Sequence, residues 1–109
     1  MTRRVISVTP ADPLSVAREH FRANNIHHLL VVERGRVVGV MSVREIIGKP
    51  SDATVGSVMA RNVMTVGPES STRDVATAMI GRGHGCVPVM EGGRVVGIVT
   101  TTDLLRAIA

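Results

Sequence analysis

The chain has 109 residues, 44% of them hydrophobic, and 13 Lys and Arg against 9 Asp and Glu give a formal net charge of +4. That length and apolar content exclude intrinsic disorder and allow one compact domain with a real core. No apolar run approaches the ~18 residues of a membrane span, Met1-Thr-Arg-Arg leads into no signal-peptide core, and a lone Cys86 leaves neither a disulfide framework nor a cysteine zinc site; a cytoplasmic protein is expected.

The predicted elements begin with a β-branched strand, Val5–Val8. Asp12-Pro13 reads as a cap residue followed by Pro at the first helical position, and Leu14, Ala17 and Phe21 then recur at helical spacing. Two strand-like runs follow, Leu29–Glu33 and Arg36–Met41, joined at Arg34-Gly35, where glycine supplies the positive φ of a tight hairpin. A short helix over Val43–Ile47 closes this stretch. Pro50 stops that helix, and Val55, Val58 and Met59 form one amphipathic turn in a short connection.

The same order then repeats. Shifted by 58 residues without a gap, Val31-Val-Glu-Arg-Gly-Arg-Val-Val-Gly39 lies over Val89-Met-Glu-Gly-Gly-Arg-Val-Val-Gly97, and Val8-Thr-Pro10 over Val66-Gly-Pro68. A strand at Val63–Val66 precedes Ser71-Thr-Arg-Asp74, a capping-box pattern, and the helical positions Val75, Ala76, Met79 and Ile80. Strands at Val87–Glu91 and Arg94–Val99 meet at Gly92-Gly93, and a last helix covers Thr101–Ile108. Each copy is β-α-β-β-α, with copy one at residues 1–48, a linker at 49–62 and copy two at 63–109. A unit of this size is marginal alone, so the copies are expected to pack on each other. Met41, Met59, Met64, Met79 and Met90 read as gap-filling in a core short of aromatics rather than as a metal site.

The repeat resembles the tandem cystathionine-β-synthase (CBS) domain pair, or Bateman module. The resemblance rests on Val55-Gly-Ser-Val-Met-Ala-Arg-Asn-Val-Met-Thr-Val66, on Cys86-Val-Pro-Val-Met90 and on Gly97-Ile-Val-Thr-Thr-Thr-Asp-Leu-Leu105, and it covers essentially the whole chain. It implies an α/β (α+β) fold of two CBS repeats related by a pseudo-twofold axis, standing alone. It also implies clefts between the copies in which many members bind adenine nucleotides as sensors rather than enzymes.

The resemblance assigns candidate ligand residues, and each has a plain structural reading beside it. Asp103 would bond ribose hydroxyls and Thr100 would lie near the phosphate; Thr100-x-x-Asp103 is also a capping box. Ser42-x-x-Glu45 stands at the same place in copy one, where Glu departs from the family pattern and the capping box is favoured. Ile26-His27-His28-Leu29 is similar to a stretch in the gamma subunits of AMP-activated protein kinases whose basic residues hold phosphates. His27 and His28 would match those residues, although a His pair at a helix-to-strand turn is otherwise simply solvated. Copy two has Gly85 and Cys86 there. Arg44 would reach a phosphate or stand as a surface residue. Thr65, Val66, Val87 and Pro88 would line the adenine, or serve as ordinary strand core. His84 reads as a half-buried packing residue.

No nucleophile elbow, P-loop or metal-spaced cluster is present in the sequence, so no enzyme and no cofactor is expected. The first reading is a regulatory module binding AMP, ADP, ATP or another adenosyl ligand such as S-adenosylmethionine, forming a homodimer and passing its output to an unidentified effector protein. The second is a ligand-free dimerisation or protein-interaction module, toward which Glu45, and Leu30 in place of the Pro found at 88, lean. A third, nucleic-acid binding through twelve scattered arginines, requires steep salt dependence. It is disfavoured because the single aromatic, Phe21, is expected in the core and leaves no platform for base stacking.

Overall fold

A computed structural model describes residues 6–61, 65–82, 85–101 and 103. The described chain forms two compact units, one within Ile6–Val63 and the other within Met64–Ala109. Val5, Val63, Met64, Gly83, His84, most of the last helix and the side chain of Ile80 lie outside the described residues.

In the first unit, β1 (Ser7–Val8) is followed by α1 (Leu14–Asn24), β2 (His28–Glu33) and β3 (Arg36–Ser42). β1 pairs parallel to β2, and β2 antiparallel to β3. A 3₁₀ helix (Val43–Ile46) and the short α2 (Val55–Val58) complete it. The apolar face of α1 carries Leu14, Ala17 and Phe21, the positions with helical spacing, and packs them with Val8, Leu29, Val31, Met41, Ile46, Val55 and Met59 into one core. Val55 and Met59 bring the connection into this core.

The second unit repeats the plan. α3 (Thr72–Arg82) precedes the antiparallel pair β4 (Cys86–Glu91) and β5 (Arg94–Thr100). Val66 bridges parallel to Val89 as Val8 does to Val31. Val75, Met79 and Val87 form the core, flanked by Val66 and Val99. Thr101 and Asp103 are helical, at the start of the expected last helix. Ser71 caps α3 through its hydroxyl, which accepts from the Asp74 N–H at 3.0 Å.

Both hairpins turn through two residues of positive φ, Arg34 and Gly35 (52° and 76°) and Gly92 and Gly93 (58° and 77°), the backbone of a type I′ turn. Each hairpin also carries a bulge. Val31 stands opposite Gly39 but Val32 opposite Val37, leaving Val38 extra; Val89 and Gly97, then Met90 and Val95, leave Val96 extra.

Three sequence expectations are corrected. Pro13 is the N-cap of α1 and not its first helical residue, and no side chain caps that end. The segment after the 3₁₀ helix does so instead: the Leu14 N–H donates to Ala53 O at 2.8 Å and the Ser15 N–H to Ser51 O at 3.1 Å. Asp12, released from capping, accepts from the Thr9 N–H at 2.8 Å. The helix closing copy one is 3₁₀, tightened by its capping residues. It ends at Ile46, ahead of Pro50, with Gly48 in the left-handed region at φ 76°.

Arg18 ties α1 to this same segment. Its guanidinium donates to Ile46 O at 3.0 Å, Lys49 O at 2.6 Å and Ser51 Oγ at 2.5 Å. Cationic donors to carbonyls at a helix end satisfy orphan acceptors and oppose the helix dipole. Arg18→Ala is expected to cost about 1–2 kcal/mol, read as a lowered urea midpoint with an unchanged slope. The matching residue of copy two is Ala76, so the clamp belongs to the first unit.

Candidate functional site

The end of each hairpin places a facing pair, His28 and Ser42 or Cys86 and Thr100, on the sheet face turned away from that unit's α1 or α3 core, whereas Val66 and Val87 face the core. In the first unit, Leu29, Val31 and Met41 point into the core, so strand alternation puts His28, Leu30, Val40 and Ser42 on the other face. His28 stands opposite Ser42 in the β2–β3 register. The chain then enters the 3₁₀ helix, and the Val43 N–H donates to His27 O at 3.0 Å, closing the corner.

Ser42 and Glu45 form a capping box there, with the Ser42 N–H donating to Glu45 Oε1 at 2.8 Å. The extra methylene of Glu45 is taken up by this fold-back. His27 and Arg44 are exposed, and Ser42, His28 and Glu45 are half-buried. Burial holds the His28 imidazole below its ordinary pKa; the positive neighbours His27 and Arg44 add to the shift, and Glu45 opposes it. Five sequence-predicted residues of copy one thus share one corner.

The second unit builds the same corner with different chemistry. Cys86 stands opposite Thr100, and the Thr101 N–H donates to Gly85 O at 3.0 Å. The Thr100 N–H donates to Asp103 Oδ2 at 2.9 Å and the Asp103 N–H to Thr100 Oγ1 at 3.2 Å, a complete capping box. Thr100 and Asp103 are half-buried and Cys86 is buried. Where copy one has two histidines and Arg44, copy two has Gly85, Cys86 and Thr102.

The residues expected to line an adenine ring are spent differently. Val87 packs into the core with Val75 and Met79, and its backbone lies in the β4–β5 ladder opposite Val99. Pro88 is fully buried. Both backbone groups of Val66 are engaged, its N–H donating to Pro88 O at 3.0 Å and its carbonyl accepting from the Met90 N–H at 2.8 Å. Thr65 is exposed beside it.

Several arginines that composition left open to an anionic partner are committed within the fold: Arg18 as above, Arg22 to Glu19, and Arg61 to Gly56 O at 2.8 Å. Sequence reasoning missed the Arg18 clamp, because no local pattern joins residues so far apart, and the bulges, because Val37-Val38 reads as uninterrupted strand. Among the described residues no His, Cys, Asp and Glu cluster could hold a metal ion, and no helix is long and apolar enough to cross a membrane.

A fold of two β-α-β-β units with a capping box after each hairpin defines a tandem small-domain pair of mixed α+β class. The CBS-domain pattern matches residues 1–52 and again 55–109, and the chain belongs to the CBS-domain family as a tandem pair. It is similar to a CBS-domain protein of Agrobacterium tumefaciens, 27% identical with a TM-score of 0.88, covering 98% of this chain and 91% of that one. The CBS domain pair of protein MJ0100, solved with 5′-methylthioadenosine and S-adenosyl-L-methionine, is 27% identical with a TM-score of 0.88, covering 99% and 90%. The cytosolic domain of the Mg²⁺ channel MgtE, solved with ATP, is 32% identical with a TM-score of 0.81, covering 98% of this chain and 46% of that one. Among curated relatives the chain is only part of the length, spanning 42% of one and 12% of another.

Proposed function

We propose that this chain is a regulatory module that binds an adenosyl ligand, AMP, ADP or ATP first, in a cleft between its two CBS repeats, and that it is not itself an enzyme. The observation that carries the reading is the assembly of His27, His28, Ser42, Arg44 and Glu45 at one corner. Carboxylate, hydroxyl and basic groups within one corner suit a ribose and a phosphate together. Thr100 and Asp103 supply the matching ribose site in the second repeat, with Thr65, Val66, Val87 and Pro88 on the adenine side. The two related domains solved with ATP and with S-adenosyl-L-methionine support an adenosyl ligand as a class. Ligand occupancy would change how two protomers, or a protomer and an effector protein, meet.

A ligand at ten times its Kd is expected to stabilise the fold by about 1.4 kcal/mol, a melting shift of about 5 °C for a domain of this size. Melting should be followed by circular dichroism with millimolar AMP, ADP, ATP and S-adenosylmethionine in turn. Asp103→Asn keeps an oxygen to accept from the Thr100 N–H but removes the charge. It is expected to fold and to weaken the response of the second site about tenfold or more.

One observation favours the second reading, a ligand-free dimerisation or interaction module: both carboxylates already have a structural task as capping-box acceptors. Melting temperatures unmoved by all four compounds, in a protein that still dimerises, would select it.

A further inference from the structure

We propose that the first repeat's corner is a proton-linked phosphate site, in which His28 takes up a proton when an adenosyl ligand carrying a 5′-phosphate dianion binds. The inference rests on the nucleotide reading above and goes beyond it by naming the ligand's charge as the switch.

His28 is half-buried on β2 opposite Ser42. Among the described residues, the charged or titratable groups bearing on it are His27 from its own strand's start and Arg44 and Glu45 from the 3₁₀ helix. In the empty site the imidazolium is disfavoured, because burial removes its water and because His27 and Arg44 lie near with the same sign. Glu45 offsets this only in part, and one of its oxygens is engaged by the Ser42 N–H. A phosphate dianion at the corner reverses the balance. It supplies two negative charges where water was lost, so the charged imidazole becomes the stable form and donates a charge-assisted hydrogen bond.

Linkage then sets the direction. The bound state holds more protons than the free state, so affinity rises as pH falls, by at most about tenfold per pH unit for one proton. An adenosyl ligand with an uncharged 5′ group gains nothing from this. The second repeat, with Gly85 and Cys86 at the matching positions, has no histidine there to titrate. One chain therefore carries a pH-sensitive site selective for phosphorylated ligands, and its second repeat lacks the histidine on which that selectivity rests.

Calorimetry of AMP binding to the full chain at about pH 7, in two buffers of different ionisation heat, reads the proton uptake directly. The phosphate's own second pKa is about 6, so the ligand is mostly dianionic there, and its small contribution is common to every variant. The expected result is net uptake in the wild type, retained in His27→Gln and lost in His28→Gln. AMP binding without net uptake, or uptake undiminished in His28→Gln, overturns the inference and leaves the nucleotide reading standing. No AMP binding by the wild type overturns both. Should His28→Gln fail to fold, the His28 imidazole resonance of the wild type decides: its titration midpoint is expected to move up when AMP is added, and an unmoved midpoint overturns the inference.

Discussion

Phe21→Ala is expected to lower the unfolding free energy by about 3–5 kcal/mol. Phe21 is 7% exposed and sits on the core face of α1 between the helix and the strands, packed with Leu14, Ala17, Leu29, Val31 and Met41. It is the single aromatic in 109 residues, so no second ring can move into the space. Its neighbours Leu29 and Val31 lie on the central strand, and β2 cannot collapse toward α1 without breaking its ladder to β1 and β3. Most of the cavity therefore stays open, and the cavity term adds to the lost transfer energy. Against a total of about 5–15 kcal/mol for a domain, the variant stands near the threshold of folding. Phe21→Met imports the residue that the second repeat uses at the matching position, Met79, which is itself 5% exposed in a core. It is expected to cost under about 1.5 kcal/mol, as a volume-conserving apolar exchange. Urea titration followed by far-ultraviolet circular dichroism measures both, since the chain has no Trp or Tyr to report by fluorescence. A Phe21→Ala loss no larger than that of Phe21→Met would show that the space closes after all.

What was legible in the sequence was what repeats or alternates. Leu14, Ala17 and Phe21, with Val75 and Met79 at the 58-residue offset, marked the two helices and their buried faces. The Gly35 and Gly92-Gly93 turns marked both hairpins to within a residue or two. The tandem CBS pair was recognisable from the same offset together with the Val55–Val66, Cys86–Met90 and Gly97–Leu105 strings. What was not legible depends on contacts distant in sequence. Asp12 reads as a helix cap because capping residues act locally, yet carbonyls of Ser51 and Ala53 take that task and leave Asp12 to close a turn. Pro13 is displaced to the cap position because it bridges to Thr54. The Val43–Ile46 helix is 3₁₀ because four residues must turn the chain at once from a strand end to the Arg18 clamp, too short a span for an α-helix to establish itself. At the candidate site the residue types were readable and their environment was not. The half-burial of His28, which separates it from the exposed His27 beside it, follows from strand alternation and the Ser42 register.

Gly39→Val is expected to cost about 3 kcal/mol, and the reason is the path of the chain after α2. Gly39 lies beside the bulge in β3, opposite Val31. The next residue, Val40, exchanges two hydrogen bonds with Ala60: Val40 N–H to Ala60 O at 3.0 Å and Ala60 N–H to Val40 O at 2.9 Å. This bridge draws residues 59–60 flat against β3. A Cβ built on Gly39 would stand 2.7 Å from Met59 Sδ and 2.9 Å from Ala60 O. The thioether is flexible and would swing aside at small cost. The carbonyl oxygen is backbone held by the bridge and would not, so even a methyl must part Ala60 from Val40, and the branched valine more so. Parting them breaks both of these hydrogen bonds, and it loosens Met59, which is 7% exposed in the core. Gly35→Ala provides the contrast. No atom stands within 4 Å of a Cβ there, but φ is +76°, so its cost of about 1 kcal/mol is conformational alone. The two variants differ in a further measurable way. Hydrogen exchange at the Val40 and Ala60 amides is expected to accelerate in Gly39→Val beyond what global destabilisation explains, and to track global stability in Gly35→Ala. Equal protection of the two amides in both variants would mean that the close approach of Ala60 to Gly39 is not what holds the connection between the repeats against the first sheet.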